Sequence, residues 1–208
     1  MKIRNLLAAA LLAAAGAVSG QEMPRPVEFY FDADASAMRP VLVLKDRSKP
    51  AVERLLRQVE RKPDAILEAA QFGHYAMGLG QTQAGLDGYG RAIARLDINN
   101  GLWRPIKWTY GWDLYRSGDV EGALSQWAEL AKRGVTASWM PPTFALALWK
   151  LGRRDEAIRW YAAAVRTEPG KWSTPARYPQ LLPQWRDDER ATLAEVQAAW
   201  AKNPPRWP

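Results

Sequence analysis

The chain has 208 residues, of which 29 are basic and 22 acidic, so its formal net charge at pH 7 is +7. It has no cysteine, which excludes a disulfide framework, a thiolate metal site and a lipid-anchored N-terminal cysteine. A hydrophobic content of 48% is enough for the core of one domain, and eleven tryptophans add large apolar side chains that also carry an N–H donor.

Residues 1–20 have the pattern of a cleavable signal peptide. Lys2 and Arg4 form a positively charged start, residues 6–18 are apolar without interruption, and the small residues Val-Ser-Gly end the segment at Gly20. The apolar run is short for a membrane span, although an uncleaved anchor is the alternative interpretation. We therefore predict cleavage after Gly20 and a periplasmic or secreted mature protein without a transmembrane span.

The charge of the mature protein favours some partners over others. Removing Lys2 and Arg4 leaves 27 basic against 22 acidic residues, a net charge of +5. This excess is spread along the chain, which suits contact with anionic surfaces of the cell envelope. Together with export, the absence of a basic cluster argues against nucleic acid as a partner.

Residues 21–47 are predicted to form an N-terminal arm, either extended or folded into short β-strands. Two apolar runs, VEFYF at 27–31 and VLVL at 41–44, are separated by turn-forming residues. Because an isolated hairpin is barely stable in water, the arm is expected to pack against the rest of the protein. Asp32 and Asp34 form a D-x-D pair, but no third carboxylate stands at calcium-loop spacing, so a solvated turn is expected there.

Helical periodicity begins at Ser48, a residue suited to an N-cap, and Pro63 ends the first helix. The residues of its buried face are Val52, Leu55, Leu56 and Val59. Farther along, equivalent residues recur 34 positions apart, which indicates one helical unit copied along the chain. These pairs are Gly118 and Gly152, Ala123 and Ala157, Trp127 and Tyr161, and Leu130 and Ala164.

The same period divides most of the chain into helical hairpins. Full repeats are predicted at about 65–96, 104–133 and 138–168, and residues 48–62 correspond to the second helix of an incomplete repeat. The first two full repeats are offset by 38 residues rather than 34, which places a four-residue insertion in the loop at 97–101.

Small residues and aromatics within each hairpin give the pattern a physical meaning. Gly73, Gly111 and Ala157 allow two helix backbones to approach closely, and an aromatic such as Trp127 or Tyr161 fills the wedge between helices. This pattern resembles the tetratricopeptide repeat signature, L-G-x2-Y followed by A-x3-F and Pro. The resemblance covers about 48–169 and implies an all-α solenoid of about three and a half repeats.

The resemblance also implies a ligand surface, because the first helices of tetratricopeptide repeats line a concave groove. In this register the residues that point into the groove are His74, Met77, Trp108, Trp112, Tyr115, Arg116, Trp139, Leu146, Trp149 and Lys150. We expect the aromatic residues among them to contact a ligand and Arg116 and Lys150 to select carboxylate or acidic groups.

The family's carboxylate clamp for chaperone tails is not reproduced. It uses Lys, Asn and Arg, where this chain has Ala70, His74, Thr109, Trp139 and Thr143. This departure argues against chaperone tails as partners.

The repeat pattern ends after Pro169. Residues 170–186 contain three prolines and several aromatics, and we predict an extended, partly polyproline path for them. Residues 187–208 are predicted to form a C-terminal capping helix, with Asp187 and Asp188 at its start, followed by a tail.

The sequence disfavours catalysis. His74 is the single histidine, and no nucleophile elbow, zinc ligand set or phosphate-binding glycine loop accompanies it. We expect no cofactor and no metal, and predict that His74 is a partly exposed groove residue.

We therefore predict a non-catalytic protein- or peptide-binding adaptor, or assembly factor, of the bacterial cell envelope. A peptidoglycan- or glycan-binding module is the alternative, because indole rings stack on sugar faces. A third possibility is a structural subunit whose groove is filled by its own residues, either 170–186 or 24–45.

Overall fold

The computed structural model describes residues 23–62, 64–132 and 134–206. The predicted signal peptide at 1–20 and the helix-ending Pro63 lie outside these residues. The described part is all-α and contains no β-strand, which confirms the predicted class. No helix in it is long and apolar enough to cross a membrane.

Ten α-helices follow one another along the described residues. They are α1 (Lys49–Arg61), α2 (Ile66–Gly78), α3 (Thr82–Ile93), α4 (Trp103–Ser117), α5 (Val120–Ala131), α6 (Met140–Lys150), α7 (Arg154–Thr167), α8 (Pro169–Trp172), α9 (Tyr178–Leu181) and α10 (Asp187–Lys202). A short 3-10 helix at Pro175–Arg177 precedes α9.

The helices pack mainly as three hairpins, α2 with α3, α4 with α5, and α6 with α7, at the positions expected from the sequence. The turn within each hairpin contains a glycine with positive φ, namely Gly80, Gly118 and Gly152. This left-handed conformation ends a helix at little steric cost. Helix α1 packs on α2, and α10 packs on α6 and α7.

Two glycines permit close helix contacts inside the hairpins. A Cβ atom at Gly73 would lie 2.9 Å from the backbone nitrogen of Tyr89. One at Gly111 would lie 2.3 Å from the indole nitrogen of Trp127, a side chain that is fully buried. The predicted role of small residues at Gly73 and Gly111 is therefore confirmed.

The N-terminal arm packs on the helices, as expected, and of the two conformations predicted for it, extended or short β, the β-strands at 27–31 and 41–44 do not form. The arm's Tyr30 and Leu42 are buried in the core, while its backbone makes one isolated parallel bridge, from Asp32 to Ala137. In this bridge Asp32 N donates to Thr136 O and Asp32 O accepts from Ser138 N. The partner is a loop between α5 and α6, so no ladder can extend from it.

The predicted extended path for residues 170–186 is also wrong, since the segment folds into short helical turns. Prolines stand in the first turn of α8, of the 3-10 helix and of α9. Backbone N–H groups in the first turn make no hydrogen bond within the helix, so the N–H that proline lacks is not needed there. The hydroxyl of Tyr161 lies 2.5 Å from both the carbonyl oxygen of Trp172 and the hydroxyl of Tyr178. These bonds hold the segment against α7.

Candidate functional site

A cavity of about 600 Å³, hereafter the pocket, lies against the first helices of the second and third hairpins. Helix α4 contributes Trp108, Thr109, Trp112, Asp113 and Arg116, and the start of α6 and the residues before it contribute Ser138, Trp139, Pro142 and Thr143. His74 extends into the lining from α2.

The N-terminal arm and the segment that follows α7 complete the walls of the pocket. The arm supplies Met38, Arg39, Pro40, Leu42 and Val43. The C-terminal part supplies Glu168, Lys171, Trp172, Leu181, Leu182, Pro183, Gln184 and Trp185. The two segments that we considered as occupants of a groove therefore line the same cavity and leave open space between them.

Indole rings form a continuous wall on the α4 side. The Trp108 ring centroid lies 4.9 Å from that of Trp139 and 5.8 Å from that of Trp112. Trp112 in turn lies 5.1 Å from Trp185, which links the repeat helices to the C-terminal segment. Trp112 and Trp139 are buried and Trp108 is half-buried, so Trp108 offers more of its ring to a ligand.

Besides Leu146, the repeat register predicts nine groove residues, and the structure brings five of them to the pocket: His74, Trp108, Trp112, Arg116 and Trp139. The remaining four, Met77, Tyr115, Trp149 and Lys150, do not line it. Leu146, also expected in the groove, is fully buried in the core.

The side chains outside the pocket have other surroundings. The Trp149 indole donates to Glu195 at 2.8 Å, and the Arg154 guanidinium lies 3.6 Å from the Trp149 ring centroid. Met77 occupies the space that a side chain at Gly85 would need, since a Cβ there would lie 2.4 Å from Met77 Cγ. This contact accounts for the glycine at position 85.

Tyr115 and Lys150 differ sharply in exposure. Lys150 is exposed at the end of α6. Tyr115 is buried, its hydroxyl has no hydrogen-bond partner among the described residues, and burial raises its pKa. Neither side chain is placed to contact a ligand in the pocket.

The basic side chains of the pocket already form ion pairs or hydrogen bonds within the protein. Arg116 donates from Nε to Glu189 Oε1 at 2.8 Å, and the Glu189 carboxylate is almost fully buried. Lys171 lies 2.5 Å from Glu168. Arg39 donates to the carbonyl oxygen of Gly101 at 2.9 Å. The expected preference of Arg116 for an acidic ligand is therefore weakened by an existing ion pair.

Sequence reasoning missed Asp113, the buried carboxylate of the pocket. Its Oδ2 lies 2.8 Å from His74 Nδ1 and accepts from the Tyr89 hydroxyl at 2.5 Å. Burial, followed by the charge of Asp113, raises the pKa of Tyr89, which therefore remains a donor. The one feature of the sequence that could have indicated a buried carboxylate is the acidic residue within the aromatic stretch WTYGWDLY of α4.

The expected solvated turn at Asp32 and Asp34 is wrong for Asp34. This carboxylate is buried, is ion-paired with Arg104 of α4, and accepts from the Trp139 indole at 2.9 Å. Burial by itself raises the pKa of Asp34, but the hydrogen bonds from Arg104 and Trp139 and the charge of Arg104 hold it below its ordinary value. The arm is thereby tied to a tryptophan of the pocket.

The pocket combines aromatic faces, a buried carboxylate and an imidazole, which are the means of binding a small or terminal group. Within 23–62, 64–132 and 134–206, no group of three or more His, Cys, Asp or Glu residues is arranged to hold a metal ion. No protein-family model, no curated protein and no solved structure matches this chain.

Proposed function

We propose that the chain is an exported, tetratricopeptide-like repeat protein that binds a short segment of a partner protein in the pocket. It would act without catalysis, as an adaptor or assembly factor of the bacterial cell envelope. Three consecutive hairpins support this assignment, the last two with turn glycines at the 34-residue spacing, together with α1 as the half repeat and α10 as the terminal cap.

The pocket is the observation that carries this proposal. It lies on the first helices of successive hairpins, and its volume falls in the range of natural ligand sites. Because the arm and the C-terminal segment line the pocket together with these helices, a few residues of peptide fit it better than a long extended strand does. A chain terminus or a short exposed loop of the partner is the segment we expect to enter.

A glycan remains the second candidate, and the half-buried ring of Trp108 in the pocket lining is the feature that favours it. Indole rings stack on the apolar faces of sugars as they do on peptide side chains. The two candidates predict different ligands for the same side chain.

The test is a pair of titrations of the mature protein, one with soluble tetrapeptides and one with soluble peptidoglycan fragments, both followed by tryptophan fluorescence. We expect tetrapeptides to bind, Trp108→Ala to weaken binding more than tenfold, and Trp149→Ala, which changes a tryptophan outside the pocket, to leave it unchanged. Thermal unfolding of both variants controls for loss of folding. Equal affinities for Trp108→Ala and the unchanged protein would refute the assignment of the pocket, and binding of the glycan fragments alone would favour the second candidate.

Export is tested on its own. Expressed in a Gram-negative host, the protein should be recovered from the periplasm with Gln21 as its first residue. A cytoplasmic protein that retains Met1 would contradict this part of the proposal.

A further inference from the structure

We propose that the pocket recognises a cationic group, a primary ammonium or a guanidinium, at Asp113 and His74. This inference rests on the proposed peptide-binding function and names the chemistry of the segment that enters: a lysine side chain, an arginine side chain or a free amino terminus.

The hydrogen bonds of Asp113 leave one carboxylate oxygen free for a ligand. His74 and Tyr89 both bond to Oδ2, whereas Oδ1 accepts no hydrogen bond from the described residues. The Asp113 side chain is 8% exposed, and the residue lines the pocket. A donor that enters the pocket can therefore reach a carboxylate oxygen that the protein itself does not use.

The charge of Asp113 also lacks a permanent partner. No lysine or arginine of the described residues forms an ion pair with it, and His74 neutralises it only when protonated. Burying a carboxylate without a cation is unfavourable, and a charged ligand at this position would supply the missing positive charge.

His74 adds a second acceptor. With neutral His74, the proton on Nδ1 is donated to Asp113, and Nε2 carries a lone pair. The His74 side chain is 34% exposed and lines the pocket. An ammonium group, with three donors, can bond to both Asp113 and His74.

The neighbouring indoles favour the same kind of ligand, because the face of a tryptophan attracts cations. The wall already holds one such contact, with the Arg116 guanidinium 5.0 Å from the Trp112 ring centroid. Trp108 lies beside Trp112 on the same helix and is half-buried, so its ring is accessible to a ligand cation.

The other charged groups of the pocket do not supply the missing cation. Arg116 is paired with Glu189 and Lys171 with Glu168. Arg39 lies on the arm and bonds to the Gly101 carbonyl. The attraction for a cation is thus local to Asp113, and it reverses the preference for acidic ligands expected from the sequence.

The probe is a set of blocked peptides, Ac-Ala-X-Ala-Ala-NH2, in which X is lysine, arginine, norleucine or glutamate. They are titrated into the mature protein at pH 8 and followed by tryptophan fluorescence. We expect the lysine and arginine peptides to bind at least tenfold more tightly than the norleucine peptide, and the glutamate peptide to bind most weakly. Equal affinities for lysine and norleucine, or a preference for glutamate, would overturn the inference.

Variants assign the preference to Asp113. We expect Asp113→Asn to reduce the ratio of lysine to norleucine affinity to within about twofold, and His74→Gln to reduce it several-fold. Glu121→Gln removes the same charge from an exposed position on α5 and should leave the ratio unchanged. If Asp113→Asn does not fold, His74→Gln and the peptide series on the unchanged protein decide the question. An unaltered ratio in a folded Asp113→Asn variant would refute the role of this carboxylate.

The results separate this inference from the function on which it rests. If all four peptides bind equally well, peptide binding stands and the cation site is refuted. If no peptide binds but n-hexylamine does so in an Asp113-dependent manner, the cation site stands and peptide binding is refuted. If neither peptides nor n-hexylamine bind, both proposals are overturned.

Discussion

Asp34 should be one of the most stability-sensitive residues of the N-terminal arm. Replacing it with Asn removes the charge and keeps a residue type that tolerates the φ of 43° found at this position. The Arg104 guanidinium, whose side chain is 14% exposed, would then lose its carboxylate partner. The Trp139 indole would compete with Arg104 for the one remaining carbonyl acceptor.

The structure sets the magnitude of this effect. Breaking a buried ion pair by removing one partner costs about 3–5 kcal/mol. Asn still accepts one hydrogen bond, so we expect the lower end of this range, about 3 kcal/mol of unfolding free energy. For a chain of this size the loss corresponds to a decrease in Tm of about 6–12 °C.

The assay is thermal and urea unfolding of the unchanged protein, Asp34→Asn and Asp32→Ala. Asp32 is the matched control, since its side chain is exposed and, among the described residues, accepts only the Asp34 backbone N–H, at 2.7 Å. We expect Asp32→Ala to cost about 1 kcal/mol or less.

The same experiment has a pH dependence with a defined sign. Folding lowers the pKa of Asp34, so the ionised carboxylate stabilises the folded protein. This stabilisation is fully present above the ordinary carboxyl pKa of about 4. It is lost as the pH falls through the pKa of Asp34 in the folded protein. The stability difference between the unchanged protein and Asp34→Asn should therefore decrease below about pH 4. A difference that is smaller than that of Asp32→Ala at pH 7, or that grows in acid, would refute the reasoning.

Two further substitutions test the packing. Gly111→Ala should destabilise the protein by about 1–3 kcal/mol because the new Cβ would collide with Trp127. Gly90→Ala, also within a helix but with no atom within 4 Å of the new Cβ, should stabilise it by about 0.5–1 kcal/mol. Thermal unfolding that ranks the two variants in the opposite order would contradict this account. Glu189→Gln should lower the unfolding free energy, measured with urea, by about 2–3 kcal/mol, because it leaves the Arg116 charge without its buried partner. A decrease below about 0.5 kcal/mol would show that this ion pair contributes little to stability.

The helical part of the fold was predictable because its determinants are local. Apolar spacing, a glycine at each hairpin turn and small residues at the helix contacts all recur within a few turns of helix. A 34-residue period with one four-residue insertion therefore locates α2 to α7. The arm and the segment after Pro169 were not predictable in this way. Asp34 is fixed by Arg104, 70 residues away, and Trp172 by a tyrosine hydroxyl of α7.

In the candidate site, too, the residues set by local spacing were predictable and those set by distant contacts were not. The repeat register places Trp108 and Trp112 on the ligand side of α4, and both line the pocket. It assigns Trp149 to that side as well, but this side chain bonds to Glu195 of α10, a helix outside the repeat pattern. Asp113 escaped detection because its partners, His74 and Tyr89, come from two other helices, and periodicity within one helix carries no information about them.

Trp139 connects the pocket to the N-terminal arm. Its ring lies in the pocket wall, while its indole N–H bonds to Asp34, the residue that anchors the arm to α4. The arm in turn supplies five residues of the pocket lining, Met38, Arg39, Pro40, Leu42 and Val43. If the pocket binds a ligand as proposed, a ligand that fixes the position of Trp139 should also favour the anchored arm. Loss of the Asp34 anchor should then weaken binding even though Asp34 itself does not line the pocket. The affinity of the pocket is thus expected to depend on a contact that closes over a hundred residues of chain, rather than on the repeat helices alone.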